Sequence, residues 1–175
     1  MMDKNIFLIG FMGTGKSTVS RRLGSMLKFS EKDLDQEIEA IEKRKISEIF
    51  ETDGEAYFRD EETALICEFE KKPGYVVSCG GGAVLRRENV ESMKRSGTIV
   101  LLTAEPKTVY ERVRYGNDRP LLKGKMNVEY IAELMERRRT LYQEAADITV
   151  RTDEKSPENI AKEIIEKIID FQNEV

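Results

Sequence analysis

Gly10, Gly13, Gly15, Lys16 and Ser17 fall in the spacing G-x-x-x-x-G-K-S within the stretch GFMGTGKST. Glycines let successive backbone N–H groups close around an anion, a lysine adds positive charge, and a hydroxyl next to it can bind a hard cation such as magnesium. Residues 13–18, Gly13, Thr14, Gly15, Lys16, Ser17 and Thr18, are therefore expected to surround the phosphates of a nucleotide. By residue usage such a match arises by chance in roughly one chain in a hundred of this length. Its setting lowers that risk. The apolar run NIFLI stops at Gly10, and helical spacing at Val19, Leu23 and Leu27 begins just after Lys16, which reads as strand, loop, helix. The loop does not say whether the terminal phosphate goes to water or to a second substrate.

Other chemistry is bounded by what the chain contains. With 175 residues and no histidine, acid–base work falls to Asp, Glu, Lys or Tyr. Cys67 and Cys79 form neither a CxxC pair nor a metal quartet, so both are expected as reduced thiols in or near the core. A composition 39% hydrophobic and 35% charged suits one globular domain with a heavily charged surface. The formal net charge of −4 argues against broad nucleic-acid binding. The opening residues carry too short an apolar run for a signal peptide or a membrane span, so the chain is expected to be cytoplasmic, with no membrane partner.

The elements that must position the loop follow from periodicity. Short apolar runs at Asn5 to Ile9, Tyr75 to Cys79, Thr98 to Thr103 and Ile148 to Val150 read as strands. Helices are expected over 16–27, 35–43, from Ile46, over 55–70 with Gly54 as the break, over 87–95, from Pro106 to about Val113, through Ile131, Leu134 and Leu141, and from Ser156 through Ile168. Residues 114–127, RYGNDRPLLKGKMN, lack periodicity and read as a surface loop. Strands that are short and almost wholly apolar, alternating with helices, predict a three-layer α/β/α domain with a central parallel sheet of about five strands. In such sheets ligands lie beyond the carboxyl ends of the strands, where GFMGTGKST and CGGG both fall.

With GFMGTGKST joined by DLD at 33–35, FR at 58–59, CGGGAV at 79–84, DRPLL at 118–122 and RRTLY at 138–142, the chain resembles the shikimate kinases from end to end. The resemblance implies a single P-loop kinase domain over 1–175, related in fold to nucleoside monophosphate kinases, with a substrate-binding helical region at 33–70 and a lid at 114–127. It implies transfer of the γ-phosphate of ATP, with Mg2+, to the 3-hydroxyl of shikimate in the route to chorismate and the aromatic amino acids. Arg59 and Arg138 match the pair that binds the substrate carboxylate, a task suited to the planar guanidinium fork. Asp35 matches the acid on the ring hydroxyls, Gly80, Gly81 and Gly82 the backbone that approaches the ring, and Phe50 and Phe58 the apolar wall. Asp33 matches the magnesium-supporting acid, with Ser17. Arg119 matches the lid arginine over the transferring phosphate, and Arg112 and Pro157 match the two sides of the adenine pocket.

If residues 33–35 are extended, alternation would turn Asp33 and Asp35 alike toward the phosphate loop. Asp35 is the first choice as proton acceptor, with Asp33 the alternative. One departure stands out: where the family has apolar residues before DLD, this chain has Glu31 and Lys32, so the second strand is expected to be an exposed edge or barely formed. Two rivals remain open, another small-molecule kinase such as a gluconate kinase and a nucleotide-binding module without catalysis. A monomer is expected.

Overall fold

A computed structural model of the chain describes residues 4–115 and 127–174. Its elements run β1 (Asn5–Ile9), α1 (Lys16–Leu27), β2 (Ser30–Asp33), α2 (Leu34–Glu42), α3 (Ile46–Thr52), α4 (Gly54–Glu68), β3 (Tyr75–Ser78), α5 (Arg87–Ser96), β4 (Gly97–Thr103), α6 (Pro106–Val113), α7 (Val128–Ala145), β5 (Ile148–Arg151) and α8 (Pro157–Glu174). The five strands form one parallel sheet in the order β2-β3-β1-β4-β5.

The near-continuous apolar strands follow from burial on both faces. Phe7 and Ile9 of β1, with Ile99 and Leu101 of β4, join the core beneath α2 to α7. Ile6 and Leu8, with Val100 and Leu102, point the opposite way onto α1 and α8. Alternation thus persists, but both faces are apolar because helices cover both. Ile160, Ile164 and Ile168 repeat every four residues and lay one stripe of α8 on that second core.

Three local expectations are revised. Gly54 opens α4 rather than preceding it, and the helix ends at Glu68, where Phe69–Lys71 tightens into a 3-10 turn. Residues 33–35 are not extended throughout. Asp33 Oδ1 accepts from the Gln36 backbone N–H at 3.2 Å and so caps α2, turning the chain helical from Leu34. Cys79 is buried, and its burial pushes the thiol's pKa up; Cys67 is exposed on α4 rather than packed. β2 does form, as a half-exposed edge strand pairing with β3 from Ser30 to Asp33.

Candidate functional site

The phosphate loop leaves the carboxyl end of β1 at Gly10, where a Cβ would overlap the backbone oxygen of Leu102 on the neighbouring strand and φ is +144°. Only glycine fits that exit. Thr14 is buried, and its hydroxyl donates to the Phe11 carbonyl at 2.8 Å. Lys16 folds back along the loop, with Nζ donating to Gly10 O at 2.8 Å and Phe11 O at 3.0 Å. Ser17 Oγ donates to Asp33 Oδ2 at 2.9 Å, so the start of α1 and the end of β2 are joined there. Thr18 lies exposed in the first turn of α1.

A second half of the site gathers around the triglycine loop after β3. From α4, the Arg59 guanidinium presses against Gly82 so closely that a Cβ there would overlap Nη2. Arg59 Nη1 donates to Glu62 Oε1 at 2.8 Å, and its guanidinium carbon stands 5.1 Å from the centre of the Phe58 ring. From α7, Arg138 Nη1 donates to Gly81 O at 3.2 Å, and the Tyr142 hydroxyl donates to the same carbonyl. Two arginines from separate helices thus converge on one glycine loop. Phe58 is buried and Phe50 exposed, with ring centroids 5.0 Å apart.

Asp35, in the first turn of α2, meets the same loop at Gly80. A Cβ on Gly80 would stand 3.0 Å from Asp35 Oδ1 and 3.3 Å from Glu62 Oε2. Asp33 and Asp35 therefore approach one candidate site from two elements, a strand end and a helix start. Burial, then the charge of Asp33, raises the pKa of Asp35 above the ordinary aspartate value, with Lys16 and Arg59 pulling it back. Burial likewise raises Glu62 despite its pairing with Arg59. Glu62 Oε2 and Arg59 Nε have no hydrogen-bond partner among the described residues, which leaves a buried acceptor and a buried donor beside the glycines.

Arg112 of α6 reaches the phosphate loop, with Nη1 on Gly13 O at 3.1 Å, and also bonds the side chain and carbonyl of Thr152 just past β5. Pro157 is exposed at the first position of α8, a few residues further on. Arg119 lies outside the described residues, as do residues 116–126 of the stretch 114–127 expected to be a lid. Glu62, Tyr142 and Thr152 contact Arg59, Gly81 and Arg112 of the candidate site, and sequence reasoning did not single them out. Glu62 sits three residues after Arg59 and Tyr142 four after Arg138, spacings that put each beside its arginine on one helix face. Thr152 carries no comparable local signal.

A magnesium ion fits the donors present. Ser17 Oγ and Asp33 Oδ2 are hard oxygens already in contact at the mouth of the phosphate loop. Mg2+ is commonly held by one or two protein oxygens together with substrate phosphates and water. No cluster of three or more His, Cys, Asp or Glu suited to a metal occurs among the described residues.

The model of the family described as shikimate kinase matches residues 12–169. A shikimate kinase of Persephonella marina is 46% identical over 165 residues, covering 94% of this chain and 99% of the relative. Among solved structures, shikimate kinase from Acinetobacter baumannii in complex with shikimate superposes with a TM-score of 0.89 at 34% identity, covering 95% of this chain and 93% of that one. The shikimate kinase of Aquifex aeolicus gives a TM-score of 0.80 at 39% identity, with coverage of 94% and 95%. A match of this identity over nearly the whole length, on the same fold, means that the chain belongs to the shikimate kinase family.

Proposed function

We propose that the two halves of this site bring the γ-phosphate of ATP to the 3-hydroxyl of shikimate, with the residues described above in distinct roles. The chain is an ATP-dependent shikimate kinase. The observation that supports the division of roles is the convergence of Arg59 and Arg138 on the triglycine loop beside Asp35, next to the loop that carries Lys16. Two guanidinium groups hold the carboxylate at one end of the ring, and Asp35 receives the hydroxyls at the other.

In the reaction the shikimate hydroxyl oxygen bonds to the γ-phosphorus, the bond from that phosphorus to the bridging oxygen breaks, and ADP leaves. Asp35 takes the hydroxyl proton, and its raised pKa makes it a better base than an exposed aspartate. Because the transition state is loose, alignment and charge neutralisation contribute more than base strength. Lys16 and the loop N–H groups hold the phosphates. Ser17 and Asp33 hold Mg2+, which when bound neutralises phosphate charge. Arg112 and Pro157 flank the adenine, and Phe50 and Phe58 wall the ring.

Arg119, within the 114–127 lid, is assigned to the transferring phosphate on the strength of the sequence resemblance. We read residues 1–175 as one kinase domain, with 33–70 as its substrate-binding helices, acting as a monomer in the cytoplasm without nucleic-acid or membrane partners. The acidic balance supports the first of those exclusions. No described helix is long and apolar enough to cross a membrane.

A coupled assay of ADP release with shikimate, gluconate and nucleoside monophosphates in parallel tests this reading. Release that needs both shikimate and magnesium is expected. Turnover with gluconate or a nucleotide in place of shikimate would overturn it.

A further inference from the structure

Thr152 lies outside every motif of the chain, yet its side chain is wholly buried at the edge of the phosphate loop. Its hydroxyl oxygen stands 2.9 Å from Thr14 O and 3.1 Å from Thr103 O, and accepts from Arg112 Nη1 at 3.1 Å. A hydroxyl has one hydrogen to give. Thr14 O is the nearer carbonyl, and Thr103 O already receives the Thr152 backbone N–H at 2.8 Å, so we assign the hydroxyl hydrogen to Thr14 O. These partners come from three places: the phosphate loop, the end of β4 and the last turn of α6.

The Thr14 carbonyl and the Gly15 N–H belong to one planar trans peptide and point in opposite directions. Holding that carbonyl toward Thr152 therefore turns the Gly15 N–H to the far side of the loop. Gly15 itself is at φ +100°, a conformation without side-chain restraint, so the peptide in front of it needs an external hold. Thr152 is itself held: its carbonyl accepts from Arg112 Nη2 at 3.2 Å. The adjacent Asp153 carboxylate accepts from the Glu105 N–H at 3.0 Å and from the Thr108 hydroxyl at the start of α6.

We propose that Thr152 is a positioning residue for nucleotide binding: its hydroxyl clamps the Thr14–Gly15 peptide so that the Gly15 N–H is preset toward the phosphates of ATP. The inference rests on the assignment of this loop to the phosphates. A backbone N–H fixed before the ligand arrives binds an anion without the cost of ordering it at that moment. The clamp acts on the donor half of the site and leaves the arginine half untouched, because Arg59 and Arg138 stand on the triglycine loop instead.

The test compares Thr152→Val, which keeps the shape and loses the hydroxyl, with Thr152→Ser, which keeps the hydroxyl. Steady-state KM for ATP and for shikimate and the thermal midpoint are measured for both. Thr152→Val is expected to raise KM for ATP by about tenfold, the scale of one lost hydrogen bond, with KM for shikimate within about twofold. Thr152→Ser is expected to return KM for ATP to within about threefold of the parent. An unchanged KM for ATP in a folded Val variant overturns the proposal. So does an equal rise for both substrates, or a Ser variant that behaves like Val. If Thr152→Val does not fold, Thr152→Cys, of similar size and a weaker donor, must show the same split at smaller amplitude, and no split there overturns the clamp. Lys16→Met separates the two levels: full turnover in that variant overturns the loop assignment, whereas a silent Thr152→Val beside an inactive Lys16→Met overturns the clamp alone.

Discussion

Arg59 and Arg138 look alike as sequence and differ as physics. Arg59 is paired with the buried carboxylate of Glu62, which makes its guanidinium rigid but also makes it hard to remove, since truncation strands a buried charge at a cost of about 3–5 kcal/mol. Arg138 rests on a backbone carbonyl, so its loss is the cleaner probe of carboxylate binding. Arg138→Ala is expected to cost about 1.5–3 kcal/mol of binding, a rise of roughly 10- to 150-fold in KM for shikimate, with KM for ATP nearly unchanged. A rise confined to ATP would show that the two halves of the site are misassigned. Asp35→Asn keeps an oxygen for the ring hydroxyls and loses the base, so kcat should fall roughly 10²- to 10⁴-fold, with a much smaller change in KM for shikimate. A kcat within a factor of a few of the parent would pass the proton to Asp33.

At the scale of elements, the departure before DLD has a structural account. Glu31 and Asp33 lie on the same side of β2, and each accepts a hydroxyl from α1, Glu31 from Ser20 at 2.8 Å and Asp33 from Ser17 at 2.9 Å. Lys32 pairs with Glu37 on α2 at 2.9 Å. An edge strand tolerates charge, and here the charge is stitched to neighbouring helices, so β2 forms without an apolar run. The triglycine loop shows the opposite economy, with no side chain at all where α4 and α7 deliver theirs. Gly82→Ala would push the Arg59 guanidinium aside while leaving the backbone free to stay, because the overlap falls on the end of a long side chain. A rise of roughly 10- to 100-fold in KM for shikimate is expected, with the thermal midpoint little changed. A large loss of stability with proportionate loss of all activity would show that Gly82 serves the fold rather than the pocket.

At the scale of the whole molecule, the site costs the fold something, because one buried and one half-buried carboxyl group, Glu62 and Asp35, stand beside one glycine loop. Glu62 ionises near 4.5 when exposed and at a higher value when folded, chiefly through burial. Between those values the native state holds a proton that the unfolded chain has released, so stability falls as pH rises. The contribution is fully present below about 4.5 and is lost as pH passes the raised native value. Asp35 acts in the same sense from its ordinary value of 3.8. Urea midpoints of the substrate-free enzyme should therefore decline through this window, and Glu62→Gln should flatten the decline. Parallel profiles for parent and variant would contradict the burial argument.

Much of this protein was fixed by local residue order. The phosphate loop, the strand before it and the helix after it are contiguous, so the spacing of Gly10, Gly13, Gly15, Lys16 and Ser17 suffices to identify them. The parallel sheet was legible because strands covered on both faces must be apolar throughout. Resemblance extended the reading to Arg59, Arg138 and Asp35, and the structure brings all three to one glycine loop. Tertiary structure alone decided the order of the strands, the helical rather than extended setting of Asp35, the burial of Glu62 and the contact of Thr152 with the phosphate loop. The reason is physical: a hydrogen bond between residues 14 and 152, or a carboxylate wholly deprived of water, depends on how the chain returns to itself. No run of neighbouring residues carries that information.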